Sequence, residues 1–201
     1  MICKKEYRKS KYKKNIKKNI FISCEGKTEK TYFNSLNYIY DNIHIIAKHN
    51  QKTSAIDVVQ NFNDLFKNED ISNDDLKFCA FDKDKNNASQ LIDAKKIANA
   101  KKIKILFSNP CFEIWLYWHF EAKRRETNSK ILKDYMSYKD GFSNYSNDIF
   151  LAKKLEKYLG NAITVAKNAR LEYKRNDIDT YVGNSNPYTD IDKFINLISE
   201  I

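Results

Sequence analysis

Paired cysteines, clustered histidines and long apolar runs are all missing from this 201-residue chain. No two of its four cysteines stand at CxxC spacing, so neither a zinc site nor a redox motif is encoded. Cys24, Cys79 and Cys111 lie in or beside apolar runs and read as small buried hydrophobes, whereas Cys3 lies in a basic tail. His44, His49 and His119 are scattered, a pattern that suits packing and hydrogen bonding better than ligation or catalysis. No apolar stretch is long enough to span a bilayer, and the start lacks the apolar core of a signal peptide. A cytoplasmic chain without membrane association is therefore the expectation. No internal repeat and no long linker interrupt it, and its length allows one domain with a substantial core.

What the chain does have is unevenly placed charge. The net charge is +10, with 31% charged and 42% hydrophobic residues. Residues 1–18 hold nine Lys or Arg and a single acid, Glu6, so this basic arm carries +8 and the remainder only +2. An arm of this kind suits a polyanion such as DNA or RNA, or else it is a solvated tail that aids solubility. Lys13, Lys14, Lys17 and Lys18 of the arm, with Lys27 and Lys83 beside two acidic motifs, are the candidate nucleic-acid contacts.

Beyond the arm, short apolar runs alternate with helical periodicity. Strands are predicted at 19–24, 43–47, 76–81 and 103–107, the last stopped by Ser108-Asn109-Pro110. Helices are predicted over 27–40 with Thr28 as cap, from a cap at Thr53 or Ser54 through Phe66, over 88–100 and over 112–120. This alternation predicts an α/β fold, with a mostly parallel four-stranded sheet flanked by helices. From 123 to 148 the chain turns polar and loses periodicity. Helices follow over 150–159 and 162–173 with Gly160 as a stop between them, and a last helix spans 189–201 with its cap near Thr189 and Asp190. The organisation read from this is the arm 1–18, an α/β unit 19–122 and a helical C-terminal extension 123–201 packed on the same core.

Two apolar runs end abruptly in acids. Phe21-Ile22-Ser23-Cys24 leads into Glu25-Gly26, with Glu29 one turn further on, and Phe78-Cys79-Ala80-Phe81 leads into Asp82-Lys83-Asp84. Strand ends of an open α/β sheet are where ligands bind. In an extended D-x-D both carboxylates point the same way and can face one ion. Converging carboxylates repel one another unless a cation joins them, and oxygen-only ligation suits Mg²⁺. Such an ion activates water and stabilises the leaving oxygen of a phosphodiester. Glu25 serves either as a ligand or as a general acid or base.

These residues resemble a known pattern. A strand ending in Glu-Gly and a later one ending in Asp-x-Asp is similar to the Toprim domain of topoisomerases, primases and OLD-type nucleases. The fuller resemblance is to the RloB-like family, which includes the AbiLii abortive-infection proteins. It is carried by Cys24-Glu25-Gly26-Lys27-Thr28-Glu29-Lys30-Thr31-Tyr32-Phe33, Phe81-Asp82-Lys83-Asp84, Ser108-Asn109-Pro110-Cys111-Phe112-Glu113-Ile114-Trp115-Leu116 and Asn186-Pro187-Tyr188-Thr189. The resemblance implies a Toprim-like sheet whose Glu25, Asp82 and Asp84 bind Mg²⁺ or Mn²⁺, and it singles out Glu29 and Glu113 as further acidic site residues. It also implies a nuclease acting on DNA or RNA, tRNA included, in anti-phage defence beside an ATPase partner. The basic arm has no counterpart in the Toprim pattern.

Glu113 reads equally well as a helix-start carboxylate stabilised by the helix dipole. Trp115 and Trp118 read as core residues rather than base-stacking platforms. Lys167, Arg170, Lys174 and Arg175 read as a solvated face or a phosphate-facing stripe. A non-catalytic module that binds nucleic acid or a partner through a vestigial site is the alternative function, and nucleotidyl transfer at the same site is a third.

Overall fold

Five strands assemble into one sheet in the order β2-β1-β3-β4-β5 in the computed structural model, which describes residues 17–52, 54–84 and 86–201. The strands are β1 (Lys18–Cys24), β2 (Ile43–His49), β3 (Leu76–Asp82), β4 (Lys104–Asn109) and β5 (Tyr188–Thr189). The first four are parallel, and β5 runs antiparallel to β4. The helices are α1 (Lys27–Ser35), α2 (Ala55–Gln60), α3 (Phe62–Leu65), α4 (Ala88–Ala100), α5 (Glu113–Phe120), α6 (Ser129–Tyr138), α7 (Leu151–Leu155), α8 (Leu159–Arg175) and α9 (Ile191–Ser199).

Strand alternation sorts the side chains onto two faces. Ile20, Ile22, Cys24, Phe78, Ala80 and Leu106 join the core formed with α1, α5 and α9. Phe21, Cys79, Phe81 and Phe107 join the opposite core beneath α2 and α4. Burial on both faces explains why these strands read as continuous apolar runs rather than alternating ones. The larger core continues without a break into the C-terminal segment, taking in Leu132, Met136, Leu155, Val165 and Ile198. Phe194 of α9 stands edge-on to both Phe33 and Phe78, with ring centroids 5.3 and 5.1 Å apart. Trp115 and Trp118 are fully buried in the same core.

The mixed α/β architecture matches the reading of the sequence, with differences that have local causes. The expected four strands are joined by β5, whose two residues are too few to leave a periodic signature. Ser108 and Asn109 do not stop β4 but extend it, because they pair with Thr189 and Tyr188. The stretch 123–148 contains α6, whose buried stripe is only Leu132 and Met136 and whose start is capped by Asn128 accepting from the Ile131 N–H. Thr28 does not cap α1; Gly26 occupies that place without a side-chain bond. Ser54 caps α2, and Thr53 lies outside the described residues. The helix expected through Phe66 is interrupted at Asn61.

Arg170 does not face outward as part of a basic stripe. Its guanidinium donates to both carboxylate oxygens of the buried Asp192, one contact at 3.0 Å, and so ties α8 to α9. A bidentate pair of this kind is geometrically specific. Among the described residues, no helix is long and apolar enough to cross a membrane.

Gly160 is not a stop but the second residue of α8, where an added Cβ would meet no atom within 4 Å. Gly160→Ala is expected to stabilise the protein by roughly 0.5–1 kcal/mol, because it reduces the freedom of the unfolded chain. For a chain of this size that is a rise of about 2–4 °C in Tm per kcal/mol. An unchanged or lower Tm in thermal unfolding would speak against a continuous helix at this point.

Candidate functional site

The sheet order places β1 between β2 and β3, so the chain steps outward from β1 to β2 and then crosses back to β3 on the other side. The crevice between the carboxyl ends of β1 and β3 is thus the topological switch point, where this type of sheet binds ligands. Glu25 follows β1 directly and Asp82 closes β3. The Glu25 N–H donates to the Ala80 carbonyl at 2.9 Å, and its Oε2 accepts from the Asp82 N–H at 3.0 Å. One glutamate therefore joins the two strand ends by both backbone and side chain.

Past Asp82 the chain does not stay extended. The Lys83 N–H donates to the Ser108 carbonyl and the Asp84 N–H to that of Pro110, so the turn follows the end of β4. The expectation that Asp82 and Asp84 project together from an extended segment is accordingly replaced. Asp82 is half-buried, while Asp84 stands exposed on the turn and accepts from the Ser129 hydroxyl at 2.6 Å. Asn86 pins the turn, donating to the Asp82 carbonyl at 2.7 Å and accepting from the Ala55 N–H at 2.8 Å.

Two helices start at this edge, each with a glutamate in its first turn: Glu29 in α1 and Glu113 in α5. The helix dipole favours negative charge there. Glu113 Oε1 accepts from the Thr28 hydroxyl at 3.4 Å and the Tyr145 hydroxyl at 3.2 Å. Glu29 lies so close to the chain entering its helix that a Cβ on Gly26 would stand 2.3 Å from its Oε2. Gly26 has an ordinary φ of −121°. Its role is thus to make room for that carboxylate, not to supply an unusual backbone angle.

Glu25, Glu29 and Glu113 are only 3–4% exposed. Acids buried to this degree are rare unless they are partnered or bind cations. Burial pushes the Asp82 carboxyl well above its ordinary value, and the charges of Glu29, Glu25, Glu113 and Asp84 push it further in the same direction. Burial also raises the Cys111 thiol, with Glu113 and Asp82 adding to the shift, so this cysteine stays protonated. For Lys133 burial works against the charge, yet Glu113, Cys111, Asp84 and Asp82 outweigh it and raise the ammonium above its usual range. A concentration of shifted groups in one crevice marks a functional site more often than a structural one.

The five carboxylates anticipated from the sequence therefore share one neighbourhood, the other four all acting on Asp82. Of the anticipated lysines, Lys27 and Lys83 stand at this end of the sheet. Lys13 and Lys14 lie outside the described residues, and Lys17 and Lys18 sit at the start of β1, a seven-residue strand spanning roughly 20 Å, at the edge opposite Glu25. Lys27 is exposed at the start of α1, and the Lys83 ammonium reaches the Asn86 carbonyl at 3.4 Å. Ser129, Lys133, Tyr145 and Asn86 are site residues that sequence reasoning missed. Asn128-Ser129 before a Leu132/Met136 pair was the one available signal, as a helix start; the bond of Tyr145 to Glu113 and the field of the acids at Lys133 exist only in three dimensions.

An oxygen-only set of mutually repelling carboxylates has the donor chemistry of a hard divalent cation. Among the described residues no group of three or more His, Cys, Asp or Glu side chains is arranged to hold a metal ion. Mg²⁺ is commonly held by one or two carboxylates with water and substrate phosphate, a mode that needs no such group. A cavity of about 470 Å³ lies elsewhere, lined by Lys95, Arg170, Lys174 and Tyr181 among others.

The family model described as RloB-like protein matches residues 20–198, a span that includes every carboxylate of the edge and all of α6. No curated protein and no solved structure gives a match.

Because the folded chain raises the Asp82 pKa, it binds more protons than the unfolded chain. The resulting stability is fully present below the ordinary value of 3.8 and is lost as pH rises through the folded value. Asp82→Asn is therefore expected to raise the Tm of the metal-free protein at pH 7, with the two proteins converging near pH 3.5. A lower Tm for the variant at pH 7 would contradict mutual repulsion at this edge. Gly26→Ala is expected to leave stability within about 1 kcal/mol of wild type, since the group displaced is the end of a long side chain. It should nonetheless diminish the thermal shift produced by MnCl₂; an undiminished shift would separate Glu29 from the cation site.

Proposed function

The chain belongs to the RloB-like family, and on that premise we propose that it is a metal-dependent, Toprim-like nuclease that hydrolyses phosphodiester bonds of DNA or RNA. The observation that carries this reading is the concentration of five carboxylates at the switch point of the sheet, with Asp82 at the centre of their field. Glu25, Asp82 and Asp84 would hold Mg²⁺ or Mn²⁺, which when bound polarises a phosphoryl oxygen and lowers the pKa of an attacking water.

The residues of the chain supply orientation. Glu25 is fixed against the Asp82 backbone and cannot swing away without breaking that bond. Thr28 and Tyr145 hold Glu113 by hydroxyl donation, leaving its carboxylate aimed by two separate elements. Ser129 steadies the otherwise exposed Asp84. Preorganisation of this kind lowers the reorganisation needed when charge develops in the transition state. In this reading the basic arm holds the substrate backbone. A role in anti-phage defence beside an ATPase partner belongs to the same proposal.

A second reading is favoured by the absence, among the described residues, of a ready-made metal group. In it the chain binds nucleic acid or a partner through its basic surface and cuts nothing. Deleting residues 1–16, which spares β1, would then abolish nucleic-acid binding outright, whereas a nuclease would retain weakened cleavage.

The deciding assay is cleavage of duplex DNA, single-stranded DNA and tRNA with MgCl₂ or MnCl₂. Wild type is expected to cut at least one of them, and Asp82→Ala to lose activity by roughly 100-fold or more, in line with removal of a principal transition-state contact. Equal cleavage by the two proteins would end the assignment.

A further inference from the structure

The chain that leads into α7 walls the outer side of α1 into a groove. Lys30, Thr31, Asn34 and Tyr38 line one side and Asn147 and Ile149 the other, enclosing about 320 Å³. That is within the range of pockets that hold small ligands. The groove adjoins the carboxylate edge on both walls. Lys30 follows Glu29 in α1, and the Thr31 hydroxyl donates to the Ser146 carbonyl at 2.7 Å. Ser146 in turn follows Tyr145, whose hydroxyl donates to Glu113. The far end is marked by Tyr38, in the short helical turn that extends α1, roughly 12 Å beyond Lys30.

Two open rings stand at that far end. Tyr38 is 54% and Phe150 46% exposed, with ring centroids 4.8 Å apart, and Ile149 at 58% extends the patch. Contiguous exposed apolar groups of this kind mark interaction sites. Some polar groups of the walls are committed to the fold. Asn34 exchanges bonds with both the N–H and the carbonyl of Ala47, and Ser35 donates to the Tyr32 carbonyl while accepting from the Ala152 N–H. Asp148, the acid between Asn147 and Ile149, is held by Lys154 at 2.6 Å. The exposed Lys30 therefore sets the sign of the groove. A cation at one end and aromatic faces at the other suit a single nucleic-acid strand, which offers a phosphate and an unstacked base. A duplex keeps its base faces stacked and cannot use the rings.

We propose that this groove seats a single-stranded segment of DNA or RNA next to the carboxylate edge, with a base against Tyr38 and Phe150 and a backbone phosphate at Lys30. The proposal takes from the reading above that the edge acts on nucleic acid. It narrows the substrate to strands, loops or ends with unpaired bases.

The test is fluorescence anisotropy of the full-length protein in EDTA, with labelled single-stranded DNA, single-stranded RNA and a DNA duplex. Replacing both rings, Tyr38→Ala with Phe150→Ala, is expected to weaken single-strand binding roughly tenfold, the loss of about one stacked base. Duplex binding, held by the basic arm, should stay within about twofold. Lys30→Gln should weaken single-strand binding and make the slope of log affinity against log salt shallower by about one. Tyr38→Phe should bind as wild type does, because the ring and not the hydroxyl is the contact. The strand that loses more affinity identifies DNA or RNA. In the unaltered protein, a strand carrying a photoreactive halogenated uracil should crosslink to Tyr38 or Phe150. Crosslinks confined to residues 1–16, or unchanged single-strand binding by the double variant, would overturn the proposal. Self-association of wild type that the double variant abolishes, with strand binding intact, would assign the rings to a protein contact and overturn it as well.

The two readings fail separately, since binding in EDTA needs no cleavage. A protein that holds single strands through the rings but cuts nothing keeps the groove and loses the nuclease assignment. One that cuts single strands with the same KM after both rings are removed loses the groove alone.

Discussion

Negative charge held out of water at one end of a sheet is the constraint from which the remaining features follow. Glu25, Glu29 and Glu113 are almost wholly buried, and Asp82 is half-buried among them. Such groups repel one another across a medium that screens poorly. Each therefore needs local compensation, and the fold draws it from many directions: a backbone N–H from β3, the starts of α1 and α5, hydroxyls from Thr28, Ser129 and Tyr145, and the ammonium of Lys133. No single element could furnish all of these. The segment after residue 122 is thus integral to the edge although it contributes no strand beside β1 or β3.

This arrangement costs stability and confers poise. A sheet needs no acids at its mouth, and a cluster of this kind favours whatever cation reaches it. The strain is confined to the loops and first helical turns at the carboxyl edge. The two hydrophobic cores beneath contain Phe33, Phe78, Trp115 and Phe194 on one side and Phe21, Phe66, Phe81 and Phe107 on the other. The ion pair of Arg170 with Asp192 locks the last two helices behind the first of these cores. Large packed aromatics supply the stability that the edge gives up.

The four parallel strands, the helices between them and the five acids were all legible in the chain, because buried parallel strands leave continuous apolar runs and their carboxyl ends are conspicuous when those runs stop in Glu or Asp. Three kinds of feature were not legible. Pairing that spans two residues, as at Tyr188 and Thr189, has no period to detect. A helix with only Leu132 and Met136 as its buried stripe looks like polar linker. Glycines also carry different meanings: Gly160 resembles a helix stop yet lies within α8, whereas Gly26 looks like a strand terminator and instead clears space for Glu29. The turn after Asp82 escaped notice for a related reason, since the carbonyls that hold it, those of Ser108 and Pro110, lie at the end of β4 and just past it.

The brevity of β5 has a consequence for how the molecule behaves in a crowd. It pairs with Ser108 and Asn109 alone, so among the described residues the earlier part of β4 has no strand on its outer side. Open strand edges invite addition of foreign strands, and charged side chains, lysine above all, discourage it. Lys104 at the start of β4 and Lys193 on α9 both line the hollow beside that stretch, together with Ile105, Leu106 and Phe194. Two lysines beside that stretch of β4 set charge where a foreign strand would have to pair.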